Sequence, residues 1–445
     1  MHAQRRIGRG VALVLGGVLV VAGLAGCARQ ADVDVRVGED PAVESVHQAS
    51  GKNDYQVTLK DSLDAGELAE ASVRLAEMTK PDPGKENLFD FRSGEWQWSP
   101  STDDERSQTL AEIVAALSDI EGVYDGAVGI GEDGEAQVWG TAAADIDPAD
   151  LVEPIADAVE GAGLDSSAMY LSLTDLHERR EIESRDGASL RPGLDIVAAA
   201  AGAGNVLSYT IDDDGVNVRM RTGADAAAAA PAIDAVAAAS GVVPTVTSGL
   251  IAPDRSDPAT VEAVNALLEP IEGVVAAREE WRSAQITVLM VTTADVDTAL
   301  AVEQLLATSP AIQPYRSLQI SVQSETEPGS RIVGLSTSDS GYVGSLAAAV
   351  QVADTEGVRS AIYTPSTMTV VLDEGADVAV IAEGLKAVAL RDQEVEVYDS
   401  TPWGPRDCWA RFEFLVKGKL HPDLFKGYAD GAQEFVDAWN AAPGL

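Results

Sequence analysis

One order of elements recurs along this chain and constrains its fold more than any other feature: helix, strand, strand, helix, strand. The clearest copy begins where the apolar periodicity of Leu110 to Ile120 predicts a helix. Gly122 suits a helix C-cap, and Val123 opens the strands. These are expected near Tyr124 to Ile130 and Ala136 to Gly140, turning at Glu132, Asp133 and Gly134. Pro148 opens a second helix, to about Ala162, and the alternation from Met169 to Leu173 predicts the closing strand. The order returns with helices at Leu194 to Ala201 and Ala224 to Ala239 around a hairpin turn at Asp213, Asp214 and Gly215. A third copy has helices at Pro258 to Glu269 and Val296 to Ala307, and a fourth at Val343 to Asp354 and Val378 to Ala389. The valine at each helix-to-strand junction stands at 123, 206, 274 and 358, intervals of 83, 68 and 84.

The expected fold class is therefore α+β: tandem small αββαβ units, each with helices packed on an antiparallel or mixed sheet. The units fall at 107-176, 192-248, 257-323 and 331-400, with the polar stretches His177 to Arg191 and Ser324 to Ser330 as linkers. Residues 27-100 read as a partial or diverged α/β unit. There Val33, Val35 and Val37 alternate, Leu63 to Met78 has helical spacing, and Phe89, Phe91, Trp96 and Trp98 flank a turn at Ser93 and Gly94. Neighbouring units have two ways to join, by sheet edges or by helices, and the pattern leaves both open.

The N-terminus carries an address. Arg5, Arg6 and Arg9 precede an apolar run from Val11 to Gly23, with no acid among them. A basic start, a short apolar core and small residues at the cut describe a secretory signal over 1-26. Leu24, Ala25, Gly26 and Cys27 resemble the lipobox of bacterial lipoproteins. The resemblance implies acylation of Cys27, cleavage before it, and a lipid anchor on the extracytoplasmic face of the cell membrane. The short run between Cys27 and the first alternating valines implies close tethering.

A second resemblance lies in the repeats. Gly122 and Val123, the turn at Asp133 and Gly134, and Gly140 before a helix are similar to the BON domain, a small αββαβ module of bacterial envelope proteins. Gly204, Asn205 and Val206, with Asp214, Gly215 and Gly223, follow the same outline. The likeness covers at most residues 107–400, and the third unit departs from it by lacking a hairpin glycine. It implies an envelope role with attachment to phospholipid, and no site residues carry over.

Charge narrows the partners. The formal net charge is -41, and removing three arginines with the signal makes it -44. Such a surface repels nucleic acid and anionic headgroups. No nucleic acid partner is expected, and the membrane is reached through the lipid on Cys27. With Cys27 acylated, Cys408 has no partner for a disulfide, so stability must come from packing.

No phosphate loop, nucleophile elbow or dinucleotide fingerprint occurs, and His47, His177 and His421 stand far apart. No catalytic residue, metal site or cofactor is assigned. The run Asp212 to Gly215 reads as a hairpin turn rather than a calcium loop, and Glu279 with Glu280 as a solvated face. The segment 401-445 is the most distinctive, with eight of the 22 aromatics. Cys408 to Val416 alternates as a strand, and Pro422 opens a helix. This strand and helix are expected to close the last unit, and the functional alternative is an interaction surface formed by Trp403, Trp409, Phe425, Tyr428 and Trp439. These features point to a non-enzymatic binding or scaffold protein of the cell envelope, whose partner is an unidentified envelope protein or polymer. The alternative is an envelope enzyme or small-ligand receptor with its site between repeats or at the aromatic segment.

Overall fold

A computed structural model describes residues 36–49, 54–79, 89–99, 101, 103–131, 133–185, 190–251, 257–283, 286–338, 342, 344–373, 375–388, 394–399, 411–415 and 432–442. These form two mixed sheets, of eleven and eight strands, and within each the strands lie in sequence order. The first sheet holds β1 (Val43–Ala49), β2 (Asp54–Leu59), β3 (Phe89–Ser93), β4 (Trp96–Trp98), β5 (Val123–Ile130) and β6 (Ala136–Ala142). It continues with β7 (Tyr170–Asp175), β8 (Arg180–Ser184), β9 (Val206–Asp212), β10 (Gly215–Met220) and β11 (Pro244–Ser248). Its helices are α1 (Ala65–Met78), α2 (Asp104–Ser118), α3 (Pro148–Gly161), α4 (Leu190–Ala203) and α5 (Gly223–Ser240). The second sheet holds β12 (Val274–Ser283), β13 (Ile286–Thr293), β14 (Ser317–Gln323), β15 (Ser330–Thr337), β16 (Val358–Tyr363), β17 (Thr367–Leu372), β18 (Glu394–Asp399) and β19 (Arg411–Leu415). Its helices are α6 (Pro258–Leu268), α7 (Val296–Ala307), α8 (Ser345–Ala353), α9 (Val378–Val388) and α10 (Ala432–Ala441).

Pairing alternates throughout: β5 is antiparallel to β6, β6 parallel to β7, β7 antiparallel to β8, and β8 parallel to β9. The cause is the connection. A short turn can only reverse the chain, whereas a helix carries it back to the end where the previous strand began. The αββαβ order is present in all four copies, and β1, β2, α1 and β3 supply the same elements near the N-terminus after a helical turn at residues 36–38. Val37 lies in that turn, not in the strand expected from its alternation, while Val33 and Val35 lie outside the described residues.

Units join through sheet edges, by strands outside the αββαβ order. The stretch His177 to Arg191 contains β8, and Ser324 to Ser330 is the turn into β15. The first reads as polar because it holds a turn and a strand of only five residues, and the second because it is a turn. Helix α2 also begins earlier than expected, at Asp104, because its first turn is polar. There the Asp103 carboxylate accepts the Arg106 N–H at 2.8 Å.

One detail proves the copies equivalent. At the mouth of each unit's hairpin, the residue after the second strand donates to the residue before the first: Lys60 to Ala42, Ala143 to Gly122, Arg221 to Asn205, Ala294 to Gly273, and Asp373 to Gly357, at 2.8–3.0 Å. One residue further in, each hairpin carries a bulge, at Val43/Ser45, Val123/Asp125, Val206/Ser208, Val274/Ala276 and Val358/Ser360. Val43 is thus a fifth junction valine, 80 residues before Val123. The bulge puts an extra side chain at the mouth of each hairpin: Glu44, Tyr124, Leu207, Val275 and Arg359.

Each sheet has one continuous core under its helices. In the first, Trp96, Gly126, Gly140 and Leu173 form a row across β4, β5, β6 and β7. The Trp96 ring lies so close over Gly126 that a Cβ there would stand 2.4 Å from it. The indole N–H donates to the Leu117 carbonyl at the end of α2, at 3.1 Å, so the large ring locks helix to sheet. In the second core, α8 starts directly on Gly334, where a Cβ would meet the Leu346 backbone at 2.4 Å. That helix has no side-chain cap of its own. Glu303 of α7, only 4% exposed, accepts instead from Gly344 N at 3.2 Å and Leu346 N at 3.4 Å.

The two sheets meet end to end at the bulged hairpin mouths. Leu207 packs against the second core. Tyr124 lies within electrostatic reach of Glu327 and Arg359, and His177 lies against the backbone of Ser324. Arg221, at the end of β10, is 8% exposed and donates to Glu269 O at 3.1 Å, Val274 O at 2.9 Å and Ile271 O at 2.5 Å. The first expected unit thus faces the fourth, and the second faces the third.

Arg221→Met would leave three carbonyls without their donor at this joint. It is expected to lower stability by about 3 kcal/mol and to split denaturant unfolding, followed by circular dichroism and tryptophan fluorescence, into two transitions. Glu303 yields a second expectation. Burial raises its pKa above 4.5, against the two backbone N–H groups that favour the carboxylate. The native state therefore holds this proton more tightly than the unfolded chain. The contribution is full below pH 4.5 and is lost as pH rises. Denaturation midpoints of wild type minus Glu303→Gln should fall between pH 4.5 and neutrality, whereas Glu303→Ala should be weaker than wild type at every pH.

Candidate functional site

Strand residues alternate between the helix-covered core and an opposite, open face. On β6, Ala136, Val138 and Ala142 are buried, while Gln137, Trp139 and Thr141 lie on the open face. Trp139 is 38% exposed, and it is the one aromatic among the exposed large hydrophobic side chains of the described residues. Its neighbours explain its stance. Directly across from it are Ala127 on β5 and Ser172 on β7, both too small to cover an indole. On one diagonal is Gly129, whose Cβ, if present, would stand 3.6 Å from the ring. On the other is Tyr170, with ring centroids 5.6 Å apart and planes at 53°.

Polar groups surround this ledge. The Tyr170 hydroxyl donates to Glu183 Oε1 at 3.2 Å, and the Gln137 amide donates to Glu135 Oε1 at 3.2 Å. Glu135 Oε2 is buried without a hydrogen-bond partner. Burial and the Glu183 carboxylate push the Tyr170 phenol above its usual range, so it stays a neutral donor. A flat apolar ring beside amide, hydroxyl and carboxylate groups is chemistry for contact and hydrogen bonding. Sequence reading passed over Trp139, although strict alternation from Ala136 to Thr141 already separates it from the core set.

A second polar cluster sits at the joint between the sheets. The turn from β7 to β8 bends at Glu178, the one non-glycine residue with positive φ (55°) among the described residues. This brings Asp175, His177 and Arg179 together. Asp175, 5% exposed, accepts Arg179 N–H at 2.6 Å, and its other oxygen is 3.6 Å from Arg179 Nε. Burial and the Arg179 cation hold His177 below its usual pKa of 6.5, against Asp175 and the Ser324 backbone. His177 Nε2 and, nearby in the chain from Ser324, Gln323 Oε1 are buried without hydrogen-bond partners. His177, which opens an expected polar linker, is thus half-buried at an internal interface.

The other expected residues fall as follows. Trp439 is 1% exposed, in the second core, stacked with Phe435 at 6.1 Å, and its carbonyl accepts from Lys386 Nζ at 2.9 Å. It therefore closes the last unit and does not contribute to an interaction surface. Cys27, Trp403, Trp409, Phe425, Tyr428, Cys408 and His421 lie outside the described residues. His47 is exposed on β1. Asp212 makes a hairpin turn by accepting from Asp214 N and Gly215 N, both at 2.9 Å. Glu279 is not simply solvated: it accepts from the buried Tyr315 hydroxyl at 2.5 Å. Of the expected C-terminal strand and helix, β19 (Arg411–Leu415) and α10 (Ala432–Ala441) are described, while Pro422 and the ends of the expected strand lie outside the described residues. Among the described residues, no group of three His, Cys, Asp or Glu side chains could hold a metal, and no helix is long and apolar enough to cross a membrane. No protein-family model, curated protein or solved structure matches the chain.

Protonation of His177 is coupled to folding. The native protein takes up this proton at lower pH than the unfolded chain, so the joint's contribution holds above pH 6.5 and fades as pH falls. In an NMR titration His177 should have a pKa below 6.5, and Arg179→Gln should move it upward. A value above 6.5 in the wild type would contradict the burial described here.

Proposed function

We propose that this chain is an extracytoplasmic lipoprotein, tethered to the cell membrane through Cys27, that serves the bacterial envelope as a non-enzymatic binding or scaffold protein. The open sheet face around Trp139 is its contact surface for an envelope protein or polymer. The observation that carries this reading is the exposed indole itself, held on a polar face by Gly129 and Tyr170. Leaving a tryptophan in water forgoes its burial, about 2 kcal/mol for a side chain of this kind, and contact with a partner recovers it. The acidic body supports the tether: a surface of net charge -41 gains no hold on anionic headgroups, so acyl chains must supply it.

Crosslinking in intact cells, followed by capture of the anchored chain, tests the proposal. Trp139→Ala should capture the same partner about thirtyfold less, corresponding to about 2 kcal/mol, while remaining folded and anchored. Equal capture would remove Trp139 from the interface. Substrate turnover by the purified chain, abolished by a single substitution, would replace binding with catalysis. Loss of acyl labelling in Cys27→Ser tests the tether separately.

A further inference from the structure

We infer that the free edge of β11 is completed by β11 of a second copy of this chain, making a two-fold dimer with one continuous sheet. The argument begins with the repeats. Every closing strand pairs in parallel with the strand before its helix: β2 with β3, β6 with β7, β10 with β11, β13 with β14, and β17 with β18. Four of these closing strands then receive an antiparallel strand on the other edge, namely β4, β8, β15 and β19. Among the described residues β11 alone receives none and ends its sheet.

The core registers what is missing. The middle core-facing residues of the completed strands, Phe91, Leu171, Ile320 and Val397, are at most 1% exposed. Val246 holds that position on β11, opposite the buried Val218, and is 36% exposed. Beside it Val243 is 86% exposed. An apolar groove opens here between α5 and β11, lined by Ile233, Ala237, Val242, Val243, Pro244 and Val246. A strand edge of this kind is a template for pairing, and chains normally guard it with charge. This edge carries no such guard: residues 235–253 have no charged side chain, in a chain of net charge -41.

Both facts select the occupant. The missing strand must run antiparallel to β11, and two copies of one strand related by a two-fold axis are antiparallel by symmetry. The neutral run also lets two strongly acidic bodies approach without setting carboxylates opposite one another. Pairing about Val246 would cover the Val246 and Val243 side chains and join two eleven-stranded sheets. The proposal does not depend on the Trp139 surface.

Sedimentation velocity of the full chain in nonionic detergent tests it, with Val246→Lys as the principal variant. The wild type should sediment as a dimer. Val246→Lys should weaken association by about tenfold or more at unchanged circular dichroism, because a cation then guards the edge. Thr245→Lys, on the open face of the same strand, should act alike and serves if Val246→Lys disturbs folding. Salt should strengthen the dimer by screening repulsion between the acidic bodies. A wild type that stays monomeric at its highest soluble concentration would overturn the proposal and leave the edge to a different protein's strand. So would a dimer indifferent to both lysines, or one that dissolves as salt rises.

Discussion

Each unit depends on how its hairpin closes. A backbone N–H after the second strand donates to the carbonyl before the first, and the next residue bulges out of the ladder. The bond fixes the register, and the register decides which alternate residues enter the core. The bulge has a second consequence. It aims Tyr124, Leu207 and Arg359 off the ends of their sheets, where the two halves meet. One local device therefore sets both the interior of each sheet and the joint between the sheets.

That joint combines apolar and polar contacts. Arg221, nearly buried, donates to three carbonyls around the end of α6. Leu207, at the bulge of the same hairpin, packs against the second core. The Asp175, His177 and Arg179 turn meets the equivalent turn of the other half at Ser324. Histidine beside arginine at an interface between repeats is better explained by this packing than by proton transfer chemistry, since Asp175 is already engaged with the Arg179 backbone and guanidinium.

The division of faces explains how such a chain offers surface for contact. Helices cover one side of each sheet, and the other side is left for polar side chains and Trp139. The added strands β4, β8, β15 and β19 pair with the outer edges of the closing strands β3, β7, β14 and β18. Where that pattern stops, at β11, an apolar edge remains, and this is also where the chain passes from one sheet to the other.

The amino-acid pattern alone determined the αββαβ order, the junction valines and the Asp212 turn, because each is a local consequence of periodicity or turn chemistry. It could not determine β8 or β15 as bridges between units: β8 is short and polar and becomes a strand only when a neighbour supplies its hydrogen bonds, and the neighbours of β15 come from two different units. The aromatic company of Trp439 left both closure of the last unit and a surface open, and it is core because the fold brings α10 against α9. His177 looked like an isolated loop residue and lies at the joint, because Ser324 comes from 147 residues further along the chain. Trp139 was legible in its alternation, but its exposure rests on Ala127, Gly129 and Ser172 from two other strands. Local spacing wrote the repeat; burial, edges and the meeting of the two halves belong to contacts between segments distant in sequence, and only the tertiary structure decided them.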